Sequence, residues 1–329
     1  MIGAEWKKLL RQRWLIGIAI LLIFVDVGLF LNTQYTEKKD RVAAVPLFAE
    51  YQKETADMTN EQAQEYLTDQ LNTLSNFQFV QIALNGEVDE GLLQGLVEEN
   101  PNILEEYQQA GYEEDPLALM TKIQVISELL GQYQNVSGYQ AYLASIQTQY
   151  EQMKDSSFYE GRPYAEAQGK KTTEDFAKLQ GTEPEIGMNW GVEALMEEQI
   201  SSVILILLAL GICIVLVSQD RTYDMFGLLR SCRRGHGCLI AAKFAIALTA
   251  VLFLGIIVYG SQIAIAWKLY GMGNLNRPMQ SVNLLNESAR QLTVGGYLLD
   301  YYLRHLIAVL VLTAFMLCLF LSIYSTMTA

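Results

Sequence analysis

Four stretches of the chain stay apolar over roughly 20 residues, the length needed to cross a bilayer. They are 14–31 (WLIGIAILLIFVDVGLFL), 200–217 (ISSVILILLALGICIVLV), 239–267 and 306–324. Buried core helices rarely run this long without charge, so each stretch predicts a transmembrane helix. Residues 1–13, MIGAEWKKLLRQR, place Ile2, Trp6, Leu9 and Leu10 near one helical face and the bases on the other. That pattern predicts a short interfacial helix leading into the first span.

Residues 32–199 carry helical rather than alternating periodicity. Thr59 with Gln62 forms a capping-box signature, and Asn100-Pro101 and Asp115-Pro116 each read as a cap followed by proline. Leu119, Met120, Ile123, Ile126, Leu129 and Leu130 make an apolar stripe with Gly131 as its stop. Tyr139, Tyr142, Leu143, Ile146, Tyr150 and Met153 make a second stripe, which reads as core. Two antiparallel amphipathic helices preceded by shorter ones are the simplest arrangement. The expected fold class is an all-α polytopic membrane protein, with four transmembrane helices and a mostly helical extracellular domain between the first and second.

Charge sharpens this division. The chain has 329 residues, and segment 32–199 alone carries 30 acids and 10 bases, whereas the remaining 161 residues carry 6 acids and 13 bases. A single soluble globule does not sort its charge this way. Lys7, Lys8, Arg11 and Arg13 precede the first span, and Arg221, Arg230, Arg233 and Arg234 outweigh Asp220 and Asp224 in segment 218–238. The positive-inside rule then places the N-terminus and 218–238 in the cytoplasm, and 32–199 and 268–305 outside. Lys268, Arg277, Arg290 and Arg304 in the last segment weakly oppose the rule, although bases at span ends can snorkel. Trp6, Trp14, Trp190 and Trp267 read as interface residues, as do Tyr297, Tyr301 and Tyr302. The first span is long for a cleaved signal peptide and lacks a clear cleavage site, so it reads as an uncleaved anchor.

Candidate chemistry is sparse. Two histidines, His236 and His305, lie in separate segments and argue against a histidine-rich metal site or a Ser/His/Asp triad. None of the four cysteines falls in 32–199, which excludes a disulfide-stapled domain, and Cys232 and Cys238 have the wrong spacing for a metal knuckle. GRPYAEAQGKKT (161–172) has Tyr164 and Lys171 where a phosphate loop needs glycine and Ser or Thr. No catalytic residue, metal, cofactor or nucleic-acid partner is expected, and the chain does not read as an enzyme. Asp26 is the only acid within a span; it is a candidate intramembrane functional group, or a carboxylate solvated near the outer end of its helix.

Segment 218–238 is the most informative. It has a polar start, an apolar Met225, Phe226, Leu228, Leu229 patch, and a basic turn broken by glycine. It reads as an amphipathic helix at the membrane's inner face, or as one docking into a partner's groove. At Asp220-Arg221, Leu228-Leu229-Arg230-Ser231, Gly235 and Ala242-Lys243 the sequence resembles permease subunits of type-two ABC exporters, with Cys232 in place of the usual threonine and His236 in place of arginine. DFAKLQG (175–181) and YGMGNLNRPMQSV (270–282) are similar to stretches of large-domain members from Gram-positive bacteria. The resemblance covers about residues 140–329 and the elbow-like N-terminus. It implies a permease subunit in the cell membrane, driven by a separate ATP-binding subunit and paired with a second permease copy or a related permease. Segment 218–238 would be the coupling loop, with Asp220, Arg221, Met225, Phe226, Leu228, Leu229, Arg230, Arg233 and Arg234 as partner-coupling residues.

Family members usually have six or more spans, so the resemblance implies a copy shortened after Ser325-Thr-Met-Thr-Ala329. The mechanotransmission permeases share the four-span plan, and Arg221-Thr222 and Leu228-Leu229-Arg230 fit their loop in part. A membrane-anchored receptor or sensor with an acidic ligand-binding ectodomain is a further alternative. The topology predicts that cysteines introduced at Glu65 and Glu151 label from outside intact cells. Labelling of native Cys232 or Cys238 by an impermeant reagent would invert it.

Overall fold

The computed structural model describes residues 2–86, 90–109, 116–156, 158–198, 200–222 and 235–327. The protein is an all-α polytopic membrane protein with four helices long and apolar enough to cross a membrane. No strand occurs among the described residues; one isolated antiparallel bridge joins Pro278 to Thr293. The chain divides into two compact units. One is a bundle of Met1–Glu37, Gly191–Gly271 and Leu298–Ala329; the other is a polar unit of Lys38–Trp190 and Met272–Tyr297.

The bundle contains α1 (Ile2–Arg11), α2 (Arg13–Asn32), α10 (Ile200–Thr222), α11 (Gly235–Tyr270) and most of α12 (Val294–Met327). A single π-helical turn, Thr33–Glu37, extends α2. Contacts fix the direction of each helix. Ser201 at the start of α10 bonds Asp26 of α2, while Leu216 near its end receives Lys243 from the start of α11. Tyr259 of α11 stacks on Tyr302 of α12 with ring centroids 5.0 Å apart. The helices α2 and α11 therefore run parallel, and α10 and α12 run against them. The end of α10, the start of α11 and α1 share one end of the bundle, and residues 37, 200 and 270 lie at the other. Phe24, Phe253, Ile256 and Val311 are each more than 60% exposed on the bundle. Large apolar side chains exposed in this number need a hydrocarbon solvent.

The structure lengthens the third and fourth spans beyond the apolar windows. Helix α12 already begins at Val294, so Tyr297, Tyr301 and Tyr302 are helical rather than part of an outer loop. Residues 272–297 belong to the polar unit.

In the polar unit, α3 (Lys39–Glu54), α4 (Asn60–Leu84) and α8 (Pro163–Ala177) pack on α7 (Pro116–Asp155), while α5 (Glu90–Glu99) and α6 (Ile103–Gln109) pack on α4. The capping box is formed in full, with Thr59 Oγ1 accepting from the Gln62 N–H and Gln62 Oε1 accepting from the Thr59 N–H. Proline opens α7 at Pro116, whereas Pro101 sits in the turn before α6. The expectation of two helices separated at Gly131 is corrected: α7 runs unbroken for 40 residues through Gly131 and Gly138. A glycine within a helix costs about 1 kcal/mol, and the residues beside it outweigh that. Tyr133 donates from its hydroxyl to the Thr55 carbonyl at 3.3 Å, and Gln132 accepts the Gly187 N–H at 3.0 Å. Val125, Ile126 and Leu129 are buried before the glycine, and Tyr139 and Leu143 after it; Met120 and Met153 face solvent. Burial pushes the Tyr139 hydroxyl up to about 12. Trp190 is likewise not an interface residue. It lies in the polar core, edge-on to Phe48 at 5.4 Å.

Arg277 organises the irregular segment 272–297. It is 1% exposed, and its guanidinium donates to the Met188 carbonyl at 2.7 Å and to Asn189 Oδ1 at 2.8 Å. Asn189 in turn donates to the Ser281 carbonyl, and Ser281 Oγ accepts the Glu185 N–H. Burial lowers the Arg277 pKa, with Glu185 opposing the shift. One of the bases that opposed the positive-inside reading is therefore a structural strut rather than a surface charge.

Gly131 and Gly187 predict opposite responses to alanine. A methyl at Gly131 meets nothing within 4 Å, so Gly131→Ala should stabilise the polar unit by up to about 1 kcal/mol. A methyl at Gly187 would sit 2.3 Å from Arg277 Nη1, and Gly187→Ala should cost about 1–3 kcal/mol. Thermal unfolding of the whole protein in mild detergent measures both.

Candidate functional site in the membrane bundle

Each end of α10 carries a buried polar contact to its neighbours. The first is built on Asp26, which is 1% exposed on α2. Ser201 Oγ donates to Asp26 Oδ1 at 2.6 Å, and the Gln262 amide of α11 donates to Ser201 Oγ. Three spans are thus joined through one serine. Beside it, the Ser202 and Tyr259 hydroxyls bond at 3.2 Å. Eight residues further along both parallel helices, Tyr270 donates to Gln34 Oε1 at 2.7 Å, roughly 12 Å beyond the carboxylate at the helical rise. The continuation of α2 to Gln34 places Asp26 deep in its helix, so solvation near a helix end does not account for it.

The site has an electrostatic deficit. Asp26 Oδ2 and the Tyr302 hydroxyl are buried without a hydrogen-bond partner among the described residues. Neither Asp26 nor the nearby Glu198 pairs with a base among the described residues. Glu198 accepts the Ile200 N–H at 2.9 Å. Its pKa is raised by burial and, more weakly, by Asp26, with the Ile200 bond opposing the shift. A charged aspartate at the centre of a span costs about 2.5–3.5 kcal/mol on insertion scales. The positive N-terminal end of α10 offsets only part of this.

The second polar contact joins α1, α10 and α11. Glu5 is buried on α1, pairs with Lys8 of its own helix, and lies 4.0 Å from the ammonium of Lys243. Lys243 is fully buried and donates to the Leu216 carbonyl. A helix forms over Ile2–Arg11, but the polar group on its packed face is Glu5, and Leu10 points outward. Between the two polar contacts, an apolar groove of about 300 Å3 runs past Trp6, Ile16, Ile20, Leu208, Phe253 and Ile257. Its lining offers hydrocarbon contact alone.

Of the coupling residues expected from sequence, Asp220 and Arg221 belong to the last turn of α10. Met225, Phe226, Leu228, Leu229, Arg230, Arg233 and Arg234 lie outside the described residues. The sequence reading missed Ser201, Gln262, Glu5 and Lys243 as site residues. Gln262 and Lys243 were visible as polar residues within an apolar run; Ser201 and Glu5 become meaningful only through their partners. No group of histidine, cysteine or acidic side chains suited to a metal occurs among the described residues. Comparison with protein-family models, with curated proteins and with solved structures finds no match to this chain.

The buried pair predicts a non-additive mutant cycle. Lys243→Met removes the bond to the Leu216 carbonyl and one of the two cations beside Glu5, which keeps Lys8, and should cost about 1–3 kcal/mol. The double variant with Glu5→Gln should lose less than the sum of the two single changes. Thermal unfolding of the full chain in detergent reads the difference.

Proposed function

We propose that the protein is the permease subunit of an ABC transporter in the cell membrane, with its N-terminus in the cytoplasm. It would move an unidentified substrate and take its energy from a separate ATP-binding subunit, acting beside a second permease copy or a related permease. The observation that carries this reading is the junction of α1, α10 and α11. An amphipathic N-terminal helix is tied through Glu5 and Lys243 to the two helix ends that flank 223–234. That segment holds Leu228-Leu229-Arg230, the residues of the family resemblance. A push on it would be delivered directly to the second and third spans. The stretch 161–172 has Tyr164 and Lys171 where a phosphate loop needs glycine and Ser or Thr. A mechanotransmission-type permease, which transmits force to its polar unit, is the alternative reading, and Arg221-Thr222 and Leu228-Leu229-Arg230 fit its loop in part.

A loop of this length has no use for a Met-Phe-Leu-Leu cluster unless lipid or protein covers it. If a partner groove covers it, Leu229→Asp should weaken ATPase retention by roughly tenfold or more, given about 1.5–3 kcal/mol per buried leucine. Arg230→Glu should weaken it through charge reversal. Mild-detergent pull-down of the ATP-binding subunit, with a parallel check of membrane insertion, measures both. Full retention by both variants would reduce the segment to an interfacial helix, and absence of any ATPase from wild-type preparations would end the permease reading.

A further inference from the structure

We propose that Asp26, with Ser201 and Glu198, binds a single positive charge, an alkali ion or a proton, inside the membrane bundle. The proposal concerns this chain alone and holds or fails whether or not an ATPase joins it. Asp26 is 1% exposed, one of its oxygens accepts from Ser201, and the other has no partner among the described residues. Gln262 donates to Ser201 and Ser201 to Asp26 Oδ1, while the Tyr302 hydroxyl, buried nearby, makes no hydrogen bond to Oδ2.

The groups that face Asp26 from each packed element make the local charge negative or neutral. They are Glu198 ahead of α10, Ser201 on α10, Gln262 and Tyr259 on α11, and Tyr302 on α12. None carries a positive charge. Glu198 also feels the Asp26 carboxylate, so two acids share one helix start. A buried carboxylate in hydrocarbon is neutralised by a cation or by a proton. Among the described residues no basic side chain pairs with Asp26, so the charge must come from solution. Carboxylate and hydroxyl oxygens are the donors that hard cations prefer. The same oxygens, linked through Ser201 to Gln262, also suit a proton held on Oδ2. In either case the bound charge would lock α2, α10 and α11 together at this level.

The test uses the full-length protein in lipid nanodiscs, as wild type and as Asp26→Asn and Ser201→Ala. Thermal unfolding is followed as sodium chloride replaces choline chloride, and infrared spectra are taken at neutral pH. For an alkali ion, the wild-type midpoint climbs with the logarithm of sodium concentration, and Asp26→Asn raises the half-maximal concentration by more than about tenfold. For a proton, salt has no effect and the wild type shows a carboxylic-acid carbonyl band that Asp26→Asn lacks. If Asp26→Asn fails to insert, Ser201→Ala decides, because it keeps the carboxylate. It must then weaken the sodium response or shift the carbonyl band. Absence of both signals in the wild type, or signals unchanged in the variants, overturns the proposal.

Discussion

Within hydrocarbon, a polar side chain has no water to fall back on, and its partners must come from the bundle itself. That constraint sets the order of the membrane unit. Leucine and isoleucine faces pack at many relative heights with little difference in energy, because lipid tails are as apolar as the side chains they replace. Asp26 to Ser201 to Gln262 and Glu5 to Lys243 to Leu216 admit one register each. With α10 held at both ends, α2 and α11 have no freedom to slide along it. Cys213, Ala209 and Ala247 between them are fully buried small residues that let the helices approach.

The polar unit obeys the same rule in a different solvent. Arg277 is as deeply buried there as Asp26 is in the bundle, but it is answered by backbone and amide oxygens rather than by a carboxylate. Around it the chain has little regular structure. Residues 272–293 are held by bonds such as Met279 N–H to the Leu292 carbonyl and Gln280 to the Arg290 carbonyl. A charge therefore replaces the helix as the organising element in this stretch, and YGMGNLNRPMQSV reads physically as the scaffold that delivers one guanidinium to residues 188–189.

Helix existence was legible in the sequence wherever composition decided it. The four apolar runs, the Thr59 capping box and the proline at the start of α7 needed no tertiary information. Gly131 misled because its neighbours' partners, Thr55 and Gly187, are distant in sequence, and α7 continues through it beside these contacts. Trp190 misled for the same reason: ten residues before a span is interface spacing, yet Phe48 buries it. Asp26 was legible as a functional candidate from its apolar surroundings alone. Its partners were not, because serine and glutamine in a span are ordinary until another helix presents them with a carboxylate. Charge counting treated Arg277 as exposed, and only its burial shows that it does not bear on orientation.

The spacing of the two polar contacts along α10 has a mechanical consequence. Ser201 and Leu216 are fifteen residues apart on one uninterrupted helix, roughly 22 Å at the helical rise. A helix of that length without proline is stiff, so a displacement applied at the Leu216 end is felt at Ser201 with little loss. The junction at Lys243 couples α1 and α11 into the same movement. In the proposed permease, force would enter through the segment that links the end of α10 to the start of α11. The first polar bond it would strain at the far end is Ser201 to Asp26, whose second carboxylate oxygen has no partner to compensate. Breaking that bond leaves a bare buried carboxylate, a costly state. In such a permease, whatever neutralises Asp26 would set how hard the opposite end of α10 must be pushed.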